Sequence, residues 1–350
     1  FYLSLLIAGQ VILASYAIGF AEYADAIIPG LNMKFIAAFI MVLCFLANLL
    51  GIKTAARFQS IMVLILVVSL VIYIFSGLGH IKDYSHYTNS VEIFPSGFAG
   101  FFAAAFLLRL SLIGSEFVSE FGGEMENPGK LIPLVMGLSL LMVVILYIGI
   151  AIVATGVLPL EEIQGKNLAA TAQVVFSPTV YYAFIGGGIM ISLVTSLNAI
   201  FAWCTRGLYM ATEDGWLPMK LAAKNKYGTP YIFLTLFFIV GIGPILADLS
   251  LSYVAILGNA VGAIFGLFPV FALYNLASRN PEAYSNAPFK LPIWATKLLP
   301  LMAVVIYGYG IYSSLDFIGN TGWTMLAGYV AIILVYIHLR SPYVKALRTD

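Results

Sequence analysis

The chain has 350 residues, of which 61% are hydrophobic and 9% charged, with 17 basic and 16 acidic side chains and a formal net charge of +1. Its mean hydropathy is +0.99. Soluble chains are about 45–50% apolar and about 25% charged, so a water-facing surface cannot be assembled from this composition and the main solvent is the lipid bilayer. The balanced charge excludes a nucleic-acid partner, which calls for a strongly basic face. Cys44 and Cys204 lie inside apolar runs and make no disulfide framework. His80, His86 and His338 have no metal-ligand spacing and no nucleophile elbow is present, so no enzyme activity, metal or cofactor is expected.

Apolar runs bounded by charged or Gly/Pro-rich segments fall at 1–28, 33–51, 60–79, 98–121, 131–158, 180–209, 231–248, 252–277, 296–315 and 322–340. The runs are continuous rather than alternating, which favours helices over a membrane barrel. The expectation is an all-α, polytopic membrane protein with ten transmembrane helices in a single domain over residues 1–350. Phe1 opens directly inside the first run, without Met or a basic n-region, so an N-terminal portion is expected to be missing.

Basic residues set the orientation, because cytoplasmic loops carry excess Lys and Arg. With the segment after the second run inside, Lys53, Arg57, Lys130, Arg206, Lys220, Lys224, Lys226, Arg279, Lys290, Lys297, Arg340, Lys345 and Arg348 are cytoplasmic; Lys34, Lys82 and Lys166 are outside. The C-terminus is then cytoplasmic, and the expected location is the plasma (inner) membrane. The outer loop from Lys82 to Tyr87 has the aromatic composition of an interfacial belt. Gly258, Gly262 and Gly266 line one ridge of the eighth run and read first as helix packing, with a substrate path as the alternative. Gly186 to Gly188 read the same way, since no Lys-Ser/Thr follows to make a phosphate loop.

The fourth run carries the chemistry. It places Arg109, Glu116 and Glu120 in or near the bilayer, where ionisable side chains point to function. Arg109 is eleven residues from the outer boundary near residue 98, about 16 Å deep at about 1.5 Å per residue, near the midplane. Between it and Glu116, Ser111, Gly114 and Ser115 are poor helix formers, so either a kink or a true break is expected. Gln10 in the first run, and Ser192, Thr195, Ser196 and Asn198 in the sixth, could contact a substrate or simply bond within the helices.

Gly114-Ser115-Glu116, followed by Glu124 to Pro133 (EMENPGKLIP), resembles the "GxE … ExxNPxRxIP" signature of the amino acid–polyamine–organocation transporters. Arg206 to Pro218 (RGLYMATEDGWLP) with Thr229-Pro230 is similar to a second signature of that family, and Asn280-Pro281 leading to Pro288-Phe289-Lys290-Leu291-Pro292 to a third. The resemblance spans essentially the whole chain and makes its ten runs the counterparts of the family's third to twelfth helices. It implies a five-plus-five inverted-repeat fold, with substrate held at helix breaks. On that resemblance the backbone at Ser111, Ile113 and Gly114 faces a substrate amine, with Leu110 and Ser115 beside it. Tyr2 and Gln10 match pocket-facing positions, and Ile200 stands where some exchangers have an aromatic.

The implied function is secondary active transport of amino acids or polyamines by alternating access, through exchange or proton coupling. The stretch from Arg57 to Leu66 lacks the lysine that proton-coupled members often carry there. The alternative is a truncated, non-transporting fragment or a membrane sensor on the same fold; a homodimer is left open. Arg109, Glu116 and Ser196 are the candidate coupling or gating residues. Arg109 and Glu116 form either a structural ion pair, or a counter-ion for a substrate carboxylate together with a proton-sensitive switch.

The orientation makes a direct prediction. An impermeant thiol reagent applied to intact cells should label His86→Cys and spare Lys224→Cys; labelling of Lys224→Cys alone would invert the topology.

Overall fold

Continuous apolar runs become helices because, in hydrocarbon, every backbone N–H and C=O must find its partner inside its own segment. The structure, a computed structural model, describes residues 2–51, 55–82, 84–88, 94 and 96–347. Within these, the side chains at 2–11, 55–59, 85, 86, 110, 120, 121, 123, 124, 202–204, 206, 315, 316, 318, 321, 325, 329, 345 and 346 are outside the description. Extended pairing among the described residues amounts to one isolated bridge between Lys224 and Pro230.

Helices lie on the apolar runs: α1 (Tyr2–Ile27), α2 (Met33–Leu49), α3 (Ala55–Leu78), α4 (Gly97–Leu108), α5 (Pro128–Val157) and α6, which runs from Pro178–Tyr182 through a π-helical stretch Ala183–Met190 into Ile191–Glu213. They continue with α7 (Tyr231–Leu246) and α8 (Leu251–Arg279). Ile293–Leu347 is broken by non-helical backbone at Gly319 (φ 65°, ψ 176°), giving the apolar arms α9 (Ile293–Ser314) and α10 (Gly322–Val344).

Among the described residues six stretches are long and apolar enough to cross a membrane: Ser60–Leu78, Pro128–Val157, Pro178–Phe201, Leu251–Arg279, Ile293–Ser314 and Gly322–Val344. Their surfaces carry exposed Phe75 (73%), Val305 (70%) and Leu339 (72%). Such side chains are at home against acyl chains rather than water. The protein is a multi-pass, all-helical membrane protein.

Two compact units divide the chain. The first comprises Phe1–Ala8, Ser96–Val143 and Ala255–Asp350; the second comprises Gly9–Pro95 and Val144–Val254.

In the first unit, α8 and α10 share a core of Val261, Phe265, Leu326 and Ile333. On the other side α4 meets α9 closely: a Cβ on Gly310 would collide with the ring of Phe106, and the Tyr309 hydroxyl donates to the Ala99 carbonyl (3.0 Å). The turn before α5 explains the Asn-Pro-Gly of the sequence. Asn127 takes a left-handed φ of 55°, its carbonyl accepts from the N–H groups of Lys130 and Leu131, and Pro128 opens the helix where a missing N–H costs nothing. A Cβ on Gly129 would come within 3.0 Å of Pro288, so two of the motif segments touch.

In the second unit, Tyr73 is fully buried. It stacks on Phe184 (5.4 Å between centroids) and its hydroxyl pairs with Thr171 Oγ1 (2.7 Å). The three glycines at 186–188 sit in the π-helical stretch of α6, and a Cβ on Gly188 would lie 2.9 Å from Ser69 Oγ of α3. Gly188 is thus the packing glycine of the tract; a Cβ on Gly186 or Gly187 would meet nothing within 4 Å.

The loop between α6 and α7 caps α2. Asn225 Nδ2 donates to the Leu49 carbonyl (2.7 Å) and Thr229 Oγ1 to the Asn48 carbonyl (3.2 Å), satisfying carbonyls that a helix end leaves without partners. At the other end of α7, Lys34 Nζ donates to the Leu246 carbonyl (2.6 Å), a cation at a helix C-terminus.

Candidate functional site: a broken helix beside an arginine

The fourth apolar run is not one regular helix over 98–121. α-Helix ends at Leu108, a 3₁₀ turn covers Arg109–Leu112, and a second 3₁₀ segment covers Ser115–Glu124. Between them Gly114 adopts φ 137°, ψ −34°. Runs of 3₁₀ geometry longer than three or four residues are uncommon and often mark a hinge. A residue without Cβ is what allows the turn, because side-chain-bearing residues rarely enter this region. The break is therefore a true interruption rather than a kink.

Glu116 finishes the turn. Its Oε2 accepts the Gly114 N–H (2.8 Å), and the Gly114 carbonyl accepts from Phe117 N–H (3.2 Å). The Glu116 side chain is exposed.

Arg109 lies at the foot of α4. Its Nη2 donates to the Asn259 main-chain carbonyl of α8 (3.2 Å). The guanidinium carbon sits 4.9 Å from the Tyr307 ring centre and 5.7 Å from that of Phe106, within the range of a cation–π contact. Asn259 is 1% exposed and donates its Nδ2 to the Phe106 carbonyl (2.5 Å). Asn259 thus receives the carbonyl next to the break and supports the arginine beside it.

The glycine ridge of α8 has a use here. An added Cβ at Gly262 would come within 3.4 Å of Arg109 Nη2, and one at Gly266 within 2.9 Å of Tyr307. The ridge makes room for the arginine and the ring that covers it.

Arg109 and Glu116 form no ion pair among the described residues, which overturns the structural ion-pair expectation. The reason is local: the carboxylate turns back on Gly114 and the guanidinium turns toward α8.

The other expected site residues divide between the units. Ser111 and Gly114 are exposed, and Ile113 and Ser115 half-buried, around the break in the first unit. Leu110 lies in the 3₁₀ turn, and Tyr2 and Gln10 in α1, with side chains outside the described residues. In the second unit Ile200 is buried at 6% exposure and Ser196 is half-buried. The neighbours of Ser196 do structural work: Ser192 and Thr195 bond back to the Ile189 and Ser192 oxygens (2.7 and 2.9 Å). Asn198 Oδ1 accepts from Asn48 Nδ2 (2.6 Å).

Two features escaped the sequence reading. Asn259 is a polar residue inside an apolar glycine-bearing helix, a signal of the same kind as Arg109. The second unit also holds a cleft of about 440 Å³ lined by Glu22, Asp25, Lys166, Asn167, Gln173 and Tyr181 among others. No expected site residue lines it. Asp25 is partly committed, its Oδ1 accepting from Gly30 and Leu31 N–H (2.9 and 3.2 Å).

A multi-pass helical protein that breaks an apolar run beside an arginine with no acid paired to it among the described residues has the build of a transporter rather than of an enzyme. Comparison with known proteins makes the class definite: residues 1–341 match the amino acid permease family, and the chain belongs to that family. The expected resemblance to the amino acid–polyamine–organocation superfamily is thereby confirmed. It is similar to the branched-chain amino acid permease of Bacillus subtilis (strain 168), 26% identical over 289 residues, 82% of this chain and 58% of the relative. It is similar to the methylthioribose transporter of the same organism, 23% identical over 344 residues, 93% and 72% of the two chains. A serine/threonine exchanger of that organism is 29% identical over 213 residues, 58% of this chain and 47% of the relative. The chain thus spans between about half and three-quarters of the length of these relatives.

The break makes a prediction. Gly114→Ala meets no neighbour within 4 Å, so its whole effect is backbone strain, about 1–3 kcal/mol. The variant should lower the unfolding midpoint in detergent; an unchanged midpoint would show that the turn relaxes without glycine.

Proposed function

We propose that this chain forms the transmembrane transporter domain of a secondary active transporter that moves amino acids or related amines across the plasma membrane by alternating access, with its C-terminus in the cytoplasm. Membership of the amino acid permease family supports the substrate class. The single structural observation that carries the reading is the interruption of the fourth apolar run at Gly114, because a broken span offers backbone groups at mid-depth to a charged solute.

In this reading the ten helices cross the membrane as two inverted repeats. The backbone at Ser111, Ile113 and Gly114 receives the substrate amine, with Leu110 and Ser115 at its sides. Tyr2, Gln10 and Ile200 belong to the walls, and Ser196, Arg109 and Glu116 act in gating or coupling. Relatives named for branched-chain amino acids and for serine and threonine favour a neutral α-amino acid, the one named for methylthioribose points to a different solute, and exchange and proton coupling stay as alternative drives.

The test is solute-stabilised unfolding of the protein containing these residues, screened against the twenty amino acids and common polyamines, followed by counterflow of the best ligand in proteoliposomes. A ligand at about 100 times its dissociation constant adds about 2.7 kcal/mol to stability, so at least one amino acid should raise the midpoint clearly and be accumulated. A screen without any responding amino acid or amine would remove the reading and favour the sensor or fragment alternative.

Glu116 has a role that can be tested separately. As a carboxylate it holds the Gly114 N–H through a charge-assisted bond, and protonation weakens that bond and frees the turn. Glu116→Gln should fold normally and transport with a flattened pH profile. A wild-type pH profile in the folded variant would end the switch role.

A further inference from the structure

The connector between α8 and α9 has the composition of a membrane surface layer. It leaves α8 at Arg279, forms the short helix Pro281–Asn286 and enters α9 at Ile293. The Tyr284 hydroxyl donates to the Leu291 carbonyl, which ties the short helix to the entry of α9. Charge is uneven here: Arg279, Lys290 and Lys297 are basic, and Glu282 is the one acid between them. Large apolar side chains stand out from the same stretch, Phe289 at 59%, Ile293 at 64% and Trp294 at 66% exposure. An exposed tryptophan among lysines at the end of an apolar span belongs at headgroup level.

The two lysines are held in place but keep donors to spare. Lys290 Nζ donates to the Ser285 carbonyl (2.8 Å). Lys297, half-buried, turns its Nζ to the Tyr274 carbonyl of α8 (2.5 Å), 4.1 Å from the centre of that ring. An ammonium carries three N–H donors, so each lysine has N–H groups that no described residue accepts, and among the described residues neither is in an ion pair. The same holds for the indole N–H of Trp294. From there α9 presents one open face: Trp294, Lys297, Leu298, Leu301 and Val305 follow at i, i+3, i+4, i+7 and i+11, and the apolar members are exposed. Donors at the head of an open apolar stripe match a phospholipid, whose phosphate stands above its acyl chains. In a multi-pass membrane protein lipid necessarily lies beside this face, and three cations against one acid select an anionic headgroup.

We propose that Lys290, Lys297 and Trp294 hold the headgroup of an anionic phospholipid, whose phosphate accepts from the two ammonium groups and the indole N–H while its acyl chains lie along Leu298, Leu301 and Val305. Through Lys297 and Tyr274 the bound lipid joins the end of α8 to the start of α9. The site does not depend on the solute carried, so its failure leaves the transport reading untouched, and the failure of transport leaves it standing.

The test uses the full protein in nanodiscs of phosphatidylcholine into which brominated phosphatidylglycerol or brominated phosphatidylcholine is titrated. Bromine quenches a neighbouring indole, and the Trp294 signal is wild type minus Trp294→Leu. Phosphatidylglycerol should quench Trp294 saturably and at a lower mole fraction than phosphatidylcholine, and the preference should shrink as salt is raised. Lys290→Gln gives up one exposed bond, should fold, and should lower the preference about fivefold, the equivalent of about 1 kcal/mol for one lysine at a membrane surface. Lys290→Gln/Lys297→Gln should bring it to the phosphatidylcholine level. If the double variant does not fold, Lys290→Gln alone decides; if Trp294→Leu does not fold, total tryptophan quenching of wild type and Lys290→Gln is compared directly.

Lys220→Gln/Lys226→Gln removes equal charge from the loop between α6 and α7 and should leave the preference at Trp294 intact, which separates a site from general surface charge. Soluble glycerol phosphate, which has the phosphate without acyl chains, should not relieve the quenching. Equal quenching by the two lipids in wild type, or an unchanged preference in folded Lys290→Gln, would overturn the proposal. So would a preference lost equally in Lys220→Gln/Lys226→Gln, or displacement by glycerol phosphate, which would make this a place for free phosphate.

Discussion

Hydrocarbon offers no hydrogen bonds, and every polar group in this protein has to be read against that constraint. Regular helices meet it by themselves. The fourth apolar run does not, because it leaves the α-helix at Leu108 and turns through a glycine at φ 137°. The groups at the break find partners one by one: the Phe106 carbonyl gains Asn259 beside the Arg109 N–H, the Gly114 N–H is taken by Glu116 and the Gly114 carbonyl by Phe117. The break is a small irregular structure with its own partners, and those partners explain why polar residues sit in helices otherwise made of Leu, Ile, Phe and Gly.

The same constraint shapes the second unit at its ends rather than its middle. Helix termini leave carbonyls unpaired, and here loops from distant sequence supply the donors. Asn225 and Thr229 close α2, and Lys34 closes α7. Asn225 also accepts from the Tyr227 and Thr229 N–H groups (2.9 and 3.1 Å), which folds its own loop into the shape that reaches α2. Between those ends, Asn48 and Asn198 satisfy one another across α2 and α6, so intramembrane amides here tie helices together.

Helix positions were legible in the sequence because hydropathy reports burial in lipid directly. The break was legible as well, since Ser111, Gly114 and Ser115 cluster residues of low helix propensity in the middle of an apolar run. Partner choice was not legible. Arg109 and Glu116 look like a pair on a helical wheel seven residues long, yet a carboxylate two residues from a glycine N–H reaches it more cheaply than it reaches across a turn. Asn259 was overlooked although it obeys the same rule as Arg109, because the glycines around it drew the reading toward packing. That reading held for Gly188 against Ser69, and at Gly262 packing and accommodation of the arginine prove to be one feature.

Part of each motif segment is a structural joint. Asn127-Pro128-Gly129 turns the chain into α5 and seats it against Pro288, and Thr229 caps α2. None of these touches Arg109 or Asn259. Joints of this kind tolerate few residue types, because a left-handed φ, a missing N–H and a close backbone approach each exclude most side chains. A residue that meets a solute faces no such backbone rule and can change with the solute while the joints stay as they are.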